Sequence, residues 1–267
     1  MGKSWLKIWA IFVRYFMLHW RSLPRCFEIF FWPVMDLLVW GFVTLYIQRE
    51  APGNLGRMVV FFLGSLILWD ILYRAQQAVT LPLIEEIWTR NIINLLVSPL
   101  KLWEWLAGTF LYGIFKIAII GTVLAVLASL LYGFSIWALG PQLIGFVTLL
   151  ICFGWGLGLV TCGLLVRWGH AAESLIWAVP FLVQPFSAVF YPISILPHWM
   201  QSVAKFLPST EIFEGMRQVV KGETVSGSIL LHVALLDVIW FSIGLSFFCW
   251  MFGAARSSGK LVRLGLD

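Results

Sequence analysis

The residues of this chain best placed to do chemistry are ionisable groups set inside apolar surroundings. Asp36, Asp70, Arg74, Lys116 and Asp237 all fall in apolar runs long enough to lie in lipid. A charge is costly there and is kept for pairing, gating or contact with a polar solute group. Asp70 and Arg74 are four residues apart, in the order that favours a pair on one helix face. The expectation is that these groups neutralise one another, Asp36 and Lys116 among them, and pin helix register. A gate or a site for a solute's polar group is the alternative.

Enzymatic chemistry finds little support. The histidines, His19, His170, His198 and His232, are scattered, and neither His-Glu-x-x-His nor Gly-x-Ser-x-Gly occurs. Cys26, Cys152, Cys162 and Cys249 form no Cys-x-x-Cys pair and read as buried thiols. Gly2-Lys3-Ser4 has the ending of a phosphate-binding loop but lacks the earlier Gly that the loop requires. Leu6 stands where myristoylation needs Ser or Thr, and no small-residue cleavage site follows a short apolar stretch.

The elements that must hold these residues are membrane helices. Hydrophobic residues make up 61% of the chain and charged residues 12%, against roughly a quarter charged in soluble domains. Its mean hydropathy is +0.92. Sixteen Trp and 22 Phe suit lipid-facing and headgroup-level surface. The net charge of +5 sits on residues between spans and not on one aromatic-laced patch, which excludes a nucleic-acid partner and leaves the lipid bilayer as the surrounding phase.

Six stretches reach the roughly 20 apolar residues a spanning helix needs: Cys26–Ile47, Met58–Val79, Trp105–Leu131, Leu143–Val166, Ala172–Ile193 and Ile229–Phe252. With both termini cytoplasmic, the inner side carries Lys3, Lys7, Arg14, Arg21, Arg25, Arg90, Lys101, Arg167, Arg256, Lys260 and Arg263. The outer side then carries only Arg49, Arg57, Lys205, Arg217 and Lys221, as the positive-inside rule prefers. Residues 1–25 read as an interfacial helix ended by Pro24, with Lys3, Lys7, Arg14 and Arg21 within about 40° of one another on a helical wheel, facing anionic headgroups.

Two polar segments interrupt the spans. Residues 80–104 read as a cytoplasmic amphipathic helix around Glu85, Glu86, Trp88, Thr89, Arg90 and Asn91. Ile84, Ile87, Trp88, Leu95 and Leu96 are expected inward, with Glu85, Glu86, Thr89 and Arg90 wetted. Residues 194–228 read as short outer-leaflet helices split by Pro208, too short to cross. Pro33 can kink the first span, and Gly154-Trp155-Gly156-Leu157-Gly158 permits close helix approach, most simply within the chain. Phe31, Trp32, Trp40, Phe186, Phe190 and Tyr191 suit surface that faces lipid.

At these two segments the chain resembles the membrane permeases of type-2 ABC exporters. The outer match is Phe190-Tyr191-Pro192-Ile193-Ser194, Leu196-Pro197-His198-Trp199, Leu207-Pro208-Ser209 and Phe213-Glu214-Gly215-Met216-Arg217; the inner one is Leu95-Leu96-Val97-Ser98-Pro99-Leu100. Arg90-Asn91 and Ile93 stand where family members often carry a Gly-Thr pair and an acid. The resemblance implies an all-α, six-span, single-domain permease over residues 1–267, without a cofactor of its own. It also implies two copies of a cytoplasmic ATPase that hold ATP and Mg, and pairing with a second copy or a paralogous permease. Glu85 to Leu96 would form the coupling helix, with Glu85, Glu86, Trp88, Thr89, Arg90 and Asn91 at the ATPase contact. Pro192, Pro197, Trp199, Pro208, Glu214 and Arg217 would form an outer lid, with Glu214 and Arg217 paired. The implied activity is export of an amphipathic or hydrophobic substrate across a bacterial inner membrane. An ion-gradient-driven carrier or channel, or a non-transporting scaffold, are the rival readings; the former is expected to show inverted repeats, and none is visible.

Overall fold

The computed structural model describes residues 2–50, 55–259 and 261, and every regular element among them is helical. Lys260 and Arg263 of the inner charge set lie outside the described residues, as do the side chains of Arg57 and Leu96. The helices are α1 (Gly2–Trp20), α2 (Leu23–Glu50), α3 (Leu55–Trp88), α4 (Ile92–Val97), α5 (Leu102–Tyr132), α6 (Gln142–Trp168), α7 (Leu175–Val183), α8 (His198–Ala204), α9 (Pro208–Lys221) and α10 (Gly227–Ser257).

Among the described residues four helices are long and apolar enough to cross a membrane: α2, α5, α6 with the short turn that extends it to Ala172, and α10. The expected second span lies on α3, whose 34 residues make it the longest helix described. The expected fifth span departs from the prediction. Residues 172–193 form only the nine-residue α7, followed by turns as far as Pro192. Apolar composition sets how much of this segment can be buried. It does not make the backbone helical across Gln184–Tyr191, where Pro185 has no N–H to continue the helix ladder and turns replace it. Pro24 also behaves differently from expectation: α1 stops at Trp20, and Pro24 lies in the first turn of α2, where its missing N–H costs nothing.

Helices α3 and α6 form the interior, with α10 along α6, α5 along α3 and α1 along α5. The α3–α6–α10 seam is made by glycines. A Cβ on Gly154 would lie 2.6 Å from the Ala75 Cβ and 2.7 Å from the Leu72 carbonyl, and one on Gly158 would lie 2.7 Å from the Gln76 carbonyl. On the other side of α6, a Cβ on Gly156 would lie 3.2 Å from the Trp240 backbone, and one on Gly244 would collide with the Gly156 carbonyl. The small-residue motif therefore serves packing within the chain, as expected.

The core divides into two halves. One gathers Leu63, Ile67, Phe146, Phe153, Phe213 and Met216 toward α9; the other gathers Tyr15, Ile84, Ile87, Trp105, Tyr112 and Phe248 toward α1. Helix α1 lays Ile11, Tyr15 and His19 against the bundle and leaves Trp5, Leu6, Trp9, Met17 and Trp20 exposed. Its basic residues border the buried stripe, which changes their role: Lys7 and Arg14 turn onto acids of the bundle instead of standing free.

Candidate functional site

At the α1 end a carboxylate ties three elements together. Glu86, in the last turn of α3, is 2% exposed. It takes the Arg14 guanidinium at 2.7 Å, the Tyr15 hydroxyl at 2.8 Å and the Asn91 amide at 2.5 Å. The Trp105 indole of α5 donates in turn to the Tyr15 hydroxyl at 3.2 Å. A buried carboxylate is tolerated when its lone pairs are filled in this way, two of them by charge-assisted or short bonds. Just beyond Glu86 the chain leaves the helix: Arg90 has φ 56°, and the Asn91 N–H returns to the Glu86 carbonyl at 2.9 Å.

A second tie joins α1 to the start of α5. The Lys7 ammonium lies 2.5 Å from the Pro99 carbonyl and 3.2 Å from Glu104, and Glu104 also accepts the Lys101 N–H at 2.9 Å. A third involves Glu85, which lies 3.9 Å from Arg25 and 3.7 Å from His19. Burial, and after it the charge of Lys116, lower His19 to about 4, so at neutral pH its approach to Glu85 is not an ion pair.

These contacts redraw the segment around residues 80–104. No separate helix spans Glu85 to Leu96. Glu85 and Glu86 belong to α3, and after the break at Thr89–Asn91 the six-residue α4 follows. Ile84 and Ile87 are buried and Thr89 and Arg90 exposed, as expected, but Glu86 and Trp88 exchange sides. Glu86 is buried, whereas Trp88 is 47% exposed and reaches Glu173 through its indole N–H at 3.2 Å. The exposed rim is Trp88, Thr89, Arg90, Asn94 and Val97. Periodicity places a Trp inside by its apolarity. The structure places it outside because Arg14 and Tyr15 of α1, remote in sequence, claim the Glu86 side of the helix. Tyr15, Glu104, Trp105 and Glu173 escaped the sequence reading; the available signal was a set of acids on the same predicted side as Lys7, Arg14 and Arg25.

At the opposite end α8 and α9 form the two short helices predicted, with Pro197 preceding α8 and Pro208 opening α9. Arg217 and Glu214 pair at 3.2 Å, as their spacing predicts. Arg217 also donates to the Ala188 and Tyr191 carbonyls and lies 4.4 Å over the Phe61 ring, while Glu214 accepts the Ile193 N–H at 2.7 Å. One ion pair thus straps the turns after α7, where Ala188 takes φ 52°, to the face of α9. Thr210 donates to the Phe186 carbonyl at 3.1 Å, and Ser187 and Ser209 meet at 2.8 Å. Pro192 leads into a short turn at Ile193–Ile195, and Trp199 is exposed with its edge toward Phe186 at 6.1 Å.

The intramembrane charges are brought together only in part. Asp70 and Arg74 pair at 2.8 Å, as predicted. Asp36 lies close enough to feel both, but among the described residues no ion pair joins it to Lys116. Lys116 faces Tyr112 instead, at 6.0 Å, and both carboxylate oxygens of Asp237 are buried without a hydrogen-bond partner. Mutual neutralisation therefore holds for one pair and fails for the other groups, because depth along a span does not fix azimuth. Lys3 and Arg21 remain exposed.

Among the described residues no cluster of His, Cys, Asp and Glu has metal-binding geometry. Comparison with curated proteins returns no match. Comparison with known families matches residues 44–255 to the ABC-2 family transporter proteins, a stretch from the second half of α2 to the end of α10 that includes the α3–α4 break and the α8–α9 strap. The chain therefore belongs to the ABC-2 transporter family and is a multi-pass membrane transport component, not a catalytic enzyme.

Proposed function

We propose that this chain is the membrane-spanning permease subunit of an ATP-driven exporter. It works with two copies of a cytoplasmic ATPase that hold ATP and Mg, and with a second copy of itself or a paralogous permease. Its cargo is amphipathic or hydrophobic, moved out across a bacterial inner membrane, and both termini are cytoplasmic. In this reading α2, α3, α5, α6, the α7 segment and α10 make six passes. The irregular backbone after α7 is tolerated because its polar groups are satisfied by α9.

The observation that carries the reading is the Glu86 tie. A segment pushed by a soluble motor must be stiffly joined to the helices it moves. Glu86 links the α3–α4 break to α1 and, through Tyr15 and Trp105, to α5. The rim of Trp88, Thr89, Arg90 and Asn94 is the docking surface, and Glu85, Glu86 and Asn91 stand behind it as transmission. The α8–α9 strap closes the exit.

The test separates the two layers. Trp88→Ala with Asn94→Arg, on the exposed rim, should weaken capture of the ATPase about tenfold, equivalent to about 1.4 kcal/mol. Glu86→Gln should leave capture intact and lower permease-stimulated ATP hydrolysis. Unchanged capture and stimulation in both variants would remove the assignment.

A further inference from the structure

Helix α2 carries a charge where the bilayer supports it least. Asp36 lies eight residues from Glu28 and twelve from Gln48, about 12 Å inside the nearer end of the apolar run at about 1.5 Å per residue. Lys116 and Asp237 are buried, whereas Asp36 stands exposed on the surface of the chain. Among the described residues no hydrogen bond or ion pair involves its carboxylate. The groups within electrostatic range of it are Asp70, Arg74 and Tyr73 of α3. Asp70 and Arg74 satisfy each other at 2.8 Å, which leaves Asp36 as one uncompensated negative charge. Lys116 acts on Asp70 and Arg74 from α5 and is not among the charges that act on Asp36.

The rings around this carboxylate follow from helix spacing. Trp32 and Trp40 stand four residues to either side of Asp36, hence one turn toward each end on the same face of α2, and they are 61% and 42% exposed. Trp40 stacks on Phe190 at 6.2 Å, and Phe62 stacks on the same Phe190 ring at 4.9 Å, so this indole is held from α3 and from the turns after α7. Tyr73 packs against Phe181 of α7 at 5.8 Å. Indole faces attract cations through their quadrupole, and the carboxylate between them supplies the balancing charge.

Three other occupants of this face fit less well. Lipid tails offer neither donor nor counter-charge, so an ionised carboxylate turned to them is costly. A second copy has Arg74 and Lys116 near this depth, each only 6% exposed within its own bundle, and brings no free base to the contact. An inorganic cation requires several oxygen ligands in a close shell, and among the described residues no group of acids, histidines and cysteines forms one. An organic cation whose charge is carried on an apolar body needs one counter-charge and aromatic faces, and both are present.

We propose that the Trp32–Asp36–Trp40 ladder of α2 binds the charged centre of a lipophilic organic cation, a quaternary ammonium or phosphonium, whose apolar body lies along the indoles within the bilayer. That such a cation is cargo rests on the exporter reading; its seat on α2 does not.

The test uses the full chain in nanodiscs and two size-matched probes of opposite charge, tetraphenylphosphonium and tetraphenylborate, with binding read by equilibrium dialysis against empty nanodiscs. Wild type should bind the phosphonium and not the borate. Asp36→Asn keeps the shape and removes the charge, and should weaken phosphonium binding about tenfold, equivalent to about 1.4 kcal/mol. Asp36→Glu should retain binding, and Trp32→Leu with Trp40→Leu should weaken it about fivefold. Equal binding of both probes would overturn the proposal, as would undiminished phosphonium binding in Asp36→Asn; if that variant also fell from pairs to single copies, the carboxylate would belong to the subunit contact. Should the variants fail to fold, a photoreactive phosphonium on wild type decides the matter. Adducts on residues 32–43 or 62–73 support the seat, and adducts confined elsewhere overturn it. Binding is measured without the ATPase, so the seat can stand while the exporter reading falls. Phosphonium that binds wild type yet leaves ATP hydrolysis by the assembled exporter unchanged would overturn the cargo role alone.

Discussion

His19 sets a pH dependence that belongs to one residue. Its ring is held in the α1–α5 seam beside Tyr112, and burial lowers it from 6.5 to about 4. The folded chain therefore keeps His19 neutral at a pH where the unfolded chain has already protonated it. Stability from this group is complete above about 6.5 and declines as the pH falls toward about 4, by a total on the order of 3 kcal/mol. Denaturant midpoints measured across that window should fall for wild type and stay flatter for His19→Phe. Other single residues were readable from sequence only where the partner was local. The Glu214–Arg217 and Asp70–Arg74 pairs are three and four residues apart, and both form. Glu86 was misplaced because its partners Arg14 and Tyr15 lie 72 and 71 residues away, on a helix whose azimuth no local pattern fixes.

Among the elements, α6 is the one whose substitutions should discriminate most sharply. Gly158→Val would push a side chain into the Gln76 carbonyl of α3, where nothing flexible can yield, and should cost about 1–3 kcal/mol. Gly145→Ala, on the same helix with open space around it, should leave stability unchanged or slightly raised. Comparing the fraction of each variant that stays monodisperse after heating checks the difference. Long apolar runs announced α2, α5, α6 and α10, since twenty lipid-compatible residues have few other uses. The α7 segment was overread for a related reason. Apolarity reports burial, while helicity across residues 184–192 is overridden by the strap to α9, a contact formed with residues far along the chain. The α3–α4 break was misread as one helix because amphipathic spacing continues through it, whereas Arg90 turns the backbone to positive φ.

For the molecule as a whole, the glycine contacts decide which parts are free to travel. With backbone pressed on backbone at Gly154, Gly156, Gly158 and Gly244, the helices α3, α6 and α10 have no side-chain cushion along which to slide or ratchet. They form a keel. Any working stroke has to be taken up by the lightly covered α2, by α1 on its polar ties, or by the strapped turns beyond α7. Spin labels placed on α6 and α10 should hold one separation with and without nucleotide on the ATPase, while labels on α2 and α6 should not. If the keel itself bends, the first pair of distances will change as much as the second, and the motion will have to be sought in the seam that looks least able to give.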